Sequence, residues 1–234
     1  MGFFVAMCFP PSGVTSQNLP DGYRNNNSDW WSHTGKPDEG NEGIIQKREL
    51  PASNFEVLGL KLEDEIFDRA TEKLGKTTVV RRGDASTGRS QICYSSVGKR
   101  EKIHLIFEKG ELNDALYLFT DGPGWDGSDQ CTGSSLITSN LSTGSGLHLG
   151  QSSAQVRALL GKASFLSKDK IIYSMMVQKK TSAADFAKLK KQNPELKDDE
   201  LHRNYESYTF GAYIEVRFAK DRLIYLAISK TESY

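Results

Sequence analysis

The chain has 234 residues, 37% apolar and 26% charged, with 30 Lys plus Arg set against 30 Asp plus Glu. That length supports one large domain or two small ones, each able to bury a core. Balanced charge excludes the broad electrostatic footprint of a nucleic-acid binder, and no apolar run is long enough to span a bilayer.

Residues 1–8, M-G-F-F-V-A-M-C, are apolar and end in a cysteine. V-A-M-C resembles the lipobox at which bacterial lipoproteins are cut, so 1–8 reads as the remnant of a signal sequence with Cys8 as the candidate for acylation. The stretch is short, lacks a basic flank, and carries Met7 where a small residue is usual. A start site placed too far downstream accounts for these departures. Residues 9–53 are rich in Gly, Asn, Ser, Pro and Asp without apolar periodicity, as in a flexible polar arm. Trp30 and Trp31 are its exceptions, able to dock on the folded part.

From Asn54 the texture changes. Residues 58–76 set Leu62, Ile66, Ala70 and Leu74 at steps of four, one helical face, with Gly75 placed to end the helix. The strands expected after it are 77–81, 91–95, 102–107 and 116–119, runs of apolar, β-branched and aromatic residues. A second helix is expected over 149–162, where Ser152 and Gln155 have capping-box spacing, Val156, Leu159 and Leu160 form the face, and Gly161 ends it. Strands at 170–177, 205–210, 213–218 and 223–228 follow.

Helix then four strands, twice, is a duplicated unit. Both helices end in Leu-Gly-Lys, at 74–76 and 160–162, and F-E-K-G-E-L (107–112) is matched by F-A-K-D-R-L (218–223), each reading as a tight β-hairpin. The copies are offset by 86 at the helix ends (74 to 160) and by 111 at the hairpins (107 to 218), so the second holds 25 extra residues. Residues 181–205 supply them. Ser182 and Asp185 cap one helix there, and Asn193-Pro194 ends it and opens the next.

A short helix ending in Leu-Gly-Lys, then antiparallel strands with an F-x-x-x-x-L hairpin, resembles the SmpA/OmlA (BamE-like) unit. Two in tandem resemble the β-lactamase-inhibitor-protein (BLIP-like) fold. R-A-L-L-G-K (157–162), preceded by Gly150, and F-A-K-D-R-L carry the closest match; the first copy matches more loosely. The resemblance implies an α+β fold of two helix-plus-four-stranded units, 54–121 and 147–230, joined by a Gly/Ser/Asp-rich linker at 122–146. It implies an exported, periplasmic or envelope-associated protein that binds another protein through a concave sheet, as an assembly factor or an enzyme inhibitor. It implies no cofactor. A monomer is expected, with no nucleic-acid partner.

Residues for such contact are Tyr94, Tyr117, Phe119, Trp125 and Tyr208, aromatic side chains on strands or at the junction of the copies. The alternative is that the insert or the arm covers them. In an exported chain Cys93 and Cys131 read as a disulfide, and in a cytosolic one as buried thiols. Asp121, Asp126 and Asp129 in D-G-P-G-W-D-G-S-D-Q-C (121–131) offer oxygen ligands for Ca²⁺, without EF-hand spacing; an ordinary Asp/Gly loop is the competing reading. His33, His104, His148 and His202 are scattered, and T-G-S-G-L (143–147) is a turn rather than a nucleophile elbow. The competing function is an enzyme, a hydrolase whose residues assemble from distant segments.

Overall fold

In the computed structural model the described residues are 45–63, 65–82, 88–98, 102–110, 113–120 and 131–234. Over these the chain is α+β, with four helices and a mostly antiparallel sheet of nine strands. Residues 1–44 and 121–130 lie outside them, and with them Cys8, Trp30, Trp31, Trp125 and the three aspartates considered for Ca²⁺.

A small hairpin opens the fold: β1 (Glu56–Val57) pairs with β2 (Leu60–Lys61) around Leu58 and Gly59, both at positive φ. Two successive left-handed residues make the tight turn whose twist suits a hairpin. Helix α1 therefore runs Ile66–Leu74, shorter than the 58–76 read from the sequence. Leu62 is buried but precedes it. Strands β3 (Val80–Arg82), β4 (Arg89–Ser96), β5 (Ile103–Gly110) and β6 (Asn113–Thr120) follow, then β7 (Thr132–Ser134), which pairs parallel with β4.

Helix α2 (Ser153–Leu160) has the expected capping box, with Ser152 Oγ accepting from the Gln155 amide and Gln155 reaching back. It ends at Gly161, whose amide donates to the Arg157 carbonyl at 2.8 Å. After it come β8 (Phe165–Leu166), β9 (Lys170–Lys180), helices α3 (Ala183–Gln192) and α4 (Asp198–Asn204), then β10 (Ser207–Ala219) and β11 (Arg222–Ser233). Helices α3 and α4 stand between β9 and β10, with the Ser182–Asp185 capping box in place.

One strand assignment is corrected. Segments 205–210 and 213–218 are not two strands but one, β10, running straight through Gly211. A Cβ at 211 would lie 2.5 Å from Thr231 Oγ1 on the neighbouring strand, so the glycine here admits a close neighbour rather than making a turn. The real hairpin turn is Lys220-Asp221, both at positive φ, between β10 and β11.

The strand order is β3-β4-β5-β6-β11-β10-β9-β8, with β7 against β4. Alternation sorts the side chains. Ile92, Tyr94, Leu105, Phe107, Leu116, Leu118, Ile214, Val216, Leu226 and Ile228 face the helices, where Ile66, Ala70, Leu74, Val156 and Leu160 complete the main core. Each of the buried Val, Leu, Ile and Phe side chains among these contributes about 1.5–3 kcal/mol.

Residues 45–53, expected as the end of a flexible arm, are docked. Gln46 bridges to Met175 on the free edge of β9, Arg48 donates to the Leu160 and Lys162 carbonyls (2.6 and 3.2 Å), and Leu50 is buried. A guanidinium on the last carbonyls of a helix satisfies orphan acceptors and opposes the negative end of its dipole. The described part of the 122–146 linker is likewise packed: Ile137 and Leu141 are buried, and Gly144 and Ser145 donate to the carbonyls of Glu56 and Ser53.

Candidate functional site

The face of the sheet turned away from α1 and α2 carries a second, separate apolar cluster: Cys93, Ile106, Ala115, Tyr117, Phe119, Tyr225 and Ala227, with Cys131 against it. His104 stacks on Phe119 with ring centroids 5.2 Å apart. The Arg217 guanidinium carbon lies 5.9 Å from the centre of the Tyr225 ring, within cation–π reach.

Two buried carboxylates belong to this face. Glu108 accepts from Gln91 Nε2 and from the Tyr117 hydroxyl at 3.3 Å, with the Arg89 guanidinium at 3.7 Å. Glu215 accepts from the Tyr213 hydroxyl at 2.9 Å and from Arg217 Nε. Buried charge survives only when paired and hydrogen-bonded, and both are. Alternation in 214–218 sets Glu215 and Arg217 opposite Ile214, Val216 and Phe218, so their face is legible in the sequence, whereas the burial and pairing of Glu108 and Glu215 are not. The available signal was a charged residue at alternating positions of otherwise apolar strands, as in I-E-V-R-F (214–218).

Exposure changes across the face. Over β4, β5, β6 and β11 its side chains are buried, but toward β9 it opens: Ile172, Ser174 and Tyr213 are half-buried, Gln178 is exposed, and Met176 is 47% exposed. The accessible part is a shallow surface of Met, Ile and Tyr among small hydroxyls.

The expected contact aromatics do not assemble into one exposed patch. Tyr94 points to the helix side, fully buried, and its hydroxyl donates to the Gly75 carbonyl at 3.0 Å, closing the end of α1; burial raises its pKa. Tyr117 and Phe119 are on the helix-free face but covered, at 8% and 0% exposure. Tyr208 lies on the core side near the insert, 5.1 Å from the Tyr234 ring. Burial first, then Glu232 and Asp185, pushes its pKa up to about 12. Aromatic residues were legible as important from their type, but alternation and the cover over each strand decide what they touch.

Cys93 and Cys131 are joined in a disulfide. His104 lies close enough that its ring nitrogen and the two sulfurs fall within 4.8 Å of one another. Sulfurs bonded to each other offer no thiolate, the form that ligates metal or attacks substrate. The other described histidines are elsewhere: His148 Nδ1 meets the Leu149 carbonyl oxygen at 2.8 Å, and His202 packs on Phe186 with centroids 3.9 Å apart. Among the described residues no helix is long and apolar enough to cross a membrane. Comparison of the chain with protein-family models, with curated proteins and with solved structures gives no match.

Proposed function

We propose that the chain is an exported, non-catalytic protein-binding module that receives its partner on the helix-free face of the sheet, at the β9–β11 end. The observation that carries this reading is one-sidedness. Both α1 and α2 pack on one face, while the other opens toward Met176, Ile172 and Tyr213. Tyr and Met are side chains that interfaces favour, Tyr because it supplies contact area at low entropic cost and Met because its flexible thioether adapts to a partner's shape.

Two further observations support parts of it. The strand order reads the same from both ends of the sheet, a helix preceding each run and the last strands, β6 and β11, meeting in the middle. Such an order is what two BamE-like units fused edge to edge would give, the first over 54–121 and the second over 147–230. The Cys93–Cys131 bridge favours an oxidising compartment.

Site-specific photocrosslinking tests the reading. The full chain carries a photoreactive residue at position 176 in one sample and at Leu159, exposed on the helix side, in another. A discrete adduct with one protein from 176 and none from 159, weakened by Tyr213→Ala, is the expected result. Equal labelling from both positions, or none from 176, refutes it.

A further inference from the structure

At one end of the sheet, beside the Lys220-Asp221 turn, two adjoining cavities of about 630 and 570 Å³ share Ser139, Leu149, Gly150 and Arg222 as walls. Each falls within the roughly 300–1,000 Å³ of clefts that take ligands. The fold builds this groove in identifiable steps. The β10–β11 register shifts after Arg217, so Tyr225 faces Arg217 and Leu223 faces Phe218; Ile224 between them has no cross-strand partner and lines the groove. Ile103, Leu149 and Leu223 add to its apolar floor. Gly150, at φ +88, makes a turn that side chains disfavour and sets the chain beside Arg222, whose Nη2 would stand in ordinary contact, 3.6 Å, with a Cβ there.

The rim is polar and one-sided in charge. Ser142 and Asn140 offer neutral hydrogen-bonding groups, and Lys220, Arg222 and His148 the basic ones, with no carboxylate among the described lining residues. Arg222 and Lys220 are exposed, and neither side chain makes an ion pair or hydrogen bond among the described residues. The nearest acid in sequence, Asp221, is engaged elsewhere: its Oδ1 accepts from the Ser153 amide at 3.0 Å, and hydrogen bonding from the Ser153 side chain first, then this amide, holds its pKa below the ordinary value.

We infer that this groove binds an acidic peptide segment, with an apolar side chain on the Leu149–Ile224 floor and a carboxylate on Arg222 and Lys220. Unpaired cations beside an apolar floor are complementary to that chemistry, and amide and hydroxyl groups on the rim suit a peptide backbone. The inference rests on the reading of the chain as a protein-binding module and names the chemistry of a second contact.

Fluorescence anisotropy tests it, using a labelled hexapeptide of alternating leucine and aspartate and a counterpart with lysine for aspartate. The acidic peptide is expected to bind saturably to the full chain, more weakly as salt rises, and the lysine peptide not to bind. Lys220→Glu with Arg222→Glu should lower the affinity at least tenfold, while Arg203→Glu on exposed α4 leaves it unchanged. Equal binding of the two peptides, or an unchanged affinity in the double variant, overturns the proposal. Loss in that variant of binding to anionic phospholipid vesicles, with no peptide binding in the parent, overturns it in favour of a membrane surface. If the adduct from position 176 persists while the peptide fails, only the groove is refuted; if the peptide binds while the adduct is absent, only the sheet-face reading falls.

Discussion

Phe119 and Tyr225 sit directly opposite each other across the antiparallel β6–β11 pair, both fully buried, with ring centroids 6.1 Å apart. This pair stands where the β3–β6 run of the sheet meets the β8–β11 run, so it ties distant parts of the chain together. Phe119→Ala is expected to cost about 3–5 kcal/mol through lost burial and the cavity left behind. Urea unfolding should remain a single transition at a lower midpoint. Two separated transitions would show that the two runs do not unfold as one body.

The Cys93–Cys131 bridge closes a separation of 38 residues that includes the β5–β6 hairpin. On the chain-entropy model that is worth about 4 kcal/mol. Replacing both cysteines by Ala should lower the unfolding free energy by that order, and a reducing agent should lower the parent's melting temperature without affecting the variant. A parent that melts identically with and without reductant contradicts the bridge.

Arg217 and Glu215 lie two apart on β10, on the same face, and both are nearly buried. Removing the guanidinium strands a carboxylate in low dielectric. Arg217→Ala is therefore expected to cost about 3–5 kcal/mol, while Arg217→Met combined with Glu215→Leu costs much less, because no lone charge remains. Denaturation of the two variants against the parent measures the difference, and a double variant as damaged as the single would show that packing, not charge, dominates.

Gly161 ends α2 at φ +77 and ψ −144, a region that side chains disfavour, and a Cβ there would meet Arg48 Nη1 at 3.1 Å. Gly161→Ala should cost about 1–3 kcal/mol. In an Arg48→Ala background the added cost should be smaller, since one of its two sources is gone. Additive losses would mean that backbone strain is the whole effect.

Tyr208 titrates near 12 in the folded chain and near 10 when unfolded. Between those values the folded state keeps a proton that the unfolded state has lost, so this group's stabilisation is complete below about pH 10 and declines as pH rises toward 12. Tyr94, Tyr173 and Tyr234 are shifted in the same direction, with burial the main cause for each. Melting temperature should fall across that window, and less steeply in Tyr208→Phe. A fall of equal slope in both would assign it to the other tyrosines.

What was legible along the chain was whatever depends on neighbours within about one helical turn or one hairpin. The Ser152 and Ser182 capping boxes, the glycine ends at 75 and 161 and the Lys220-Asp221 turn all rest on groups a few residues apart. So does the helical character of 181–205 between two strands. Misreadings came where a distant segment intervened. A break at Gly211 separates two expected strands until Thr231 is known to lie against it, and Leu58-Gly59 falls within an expected helix until β1 and β2 pair. Alternation in 103–107 and 214–218 puts Ile103, Leu105, Phe107, Ile214, Val216 and Phe218 on the face the helices cover, as the structure has it, but does not say which stretch of the opposite face stays open.

The sequence by itself thus determined most helices and strands, their caps and the mixed α+β class, because local sterics and hydrogen bonding decide them. Only the tertiary structure decided the meeting of β6 with β11, the docking of Gln46 and Arg48, and the paired burial of Glu108 and Glu215. It also buried Tyr94, Tyr117 and Phe119 and left Met176 open. Each of these depends on residues tens of positions apart being brought into contact, and burial of apolar surface, which drives that contact, is non-directional and carries no local mark in the chain.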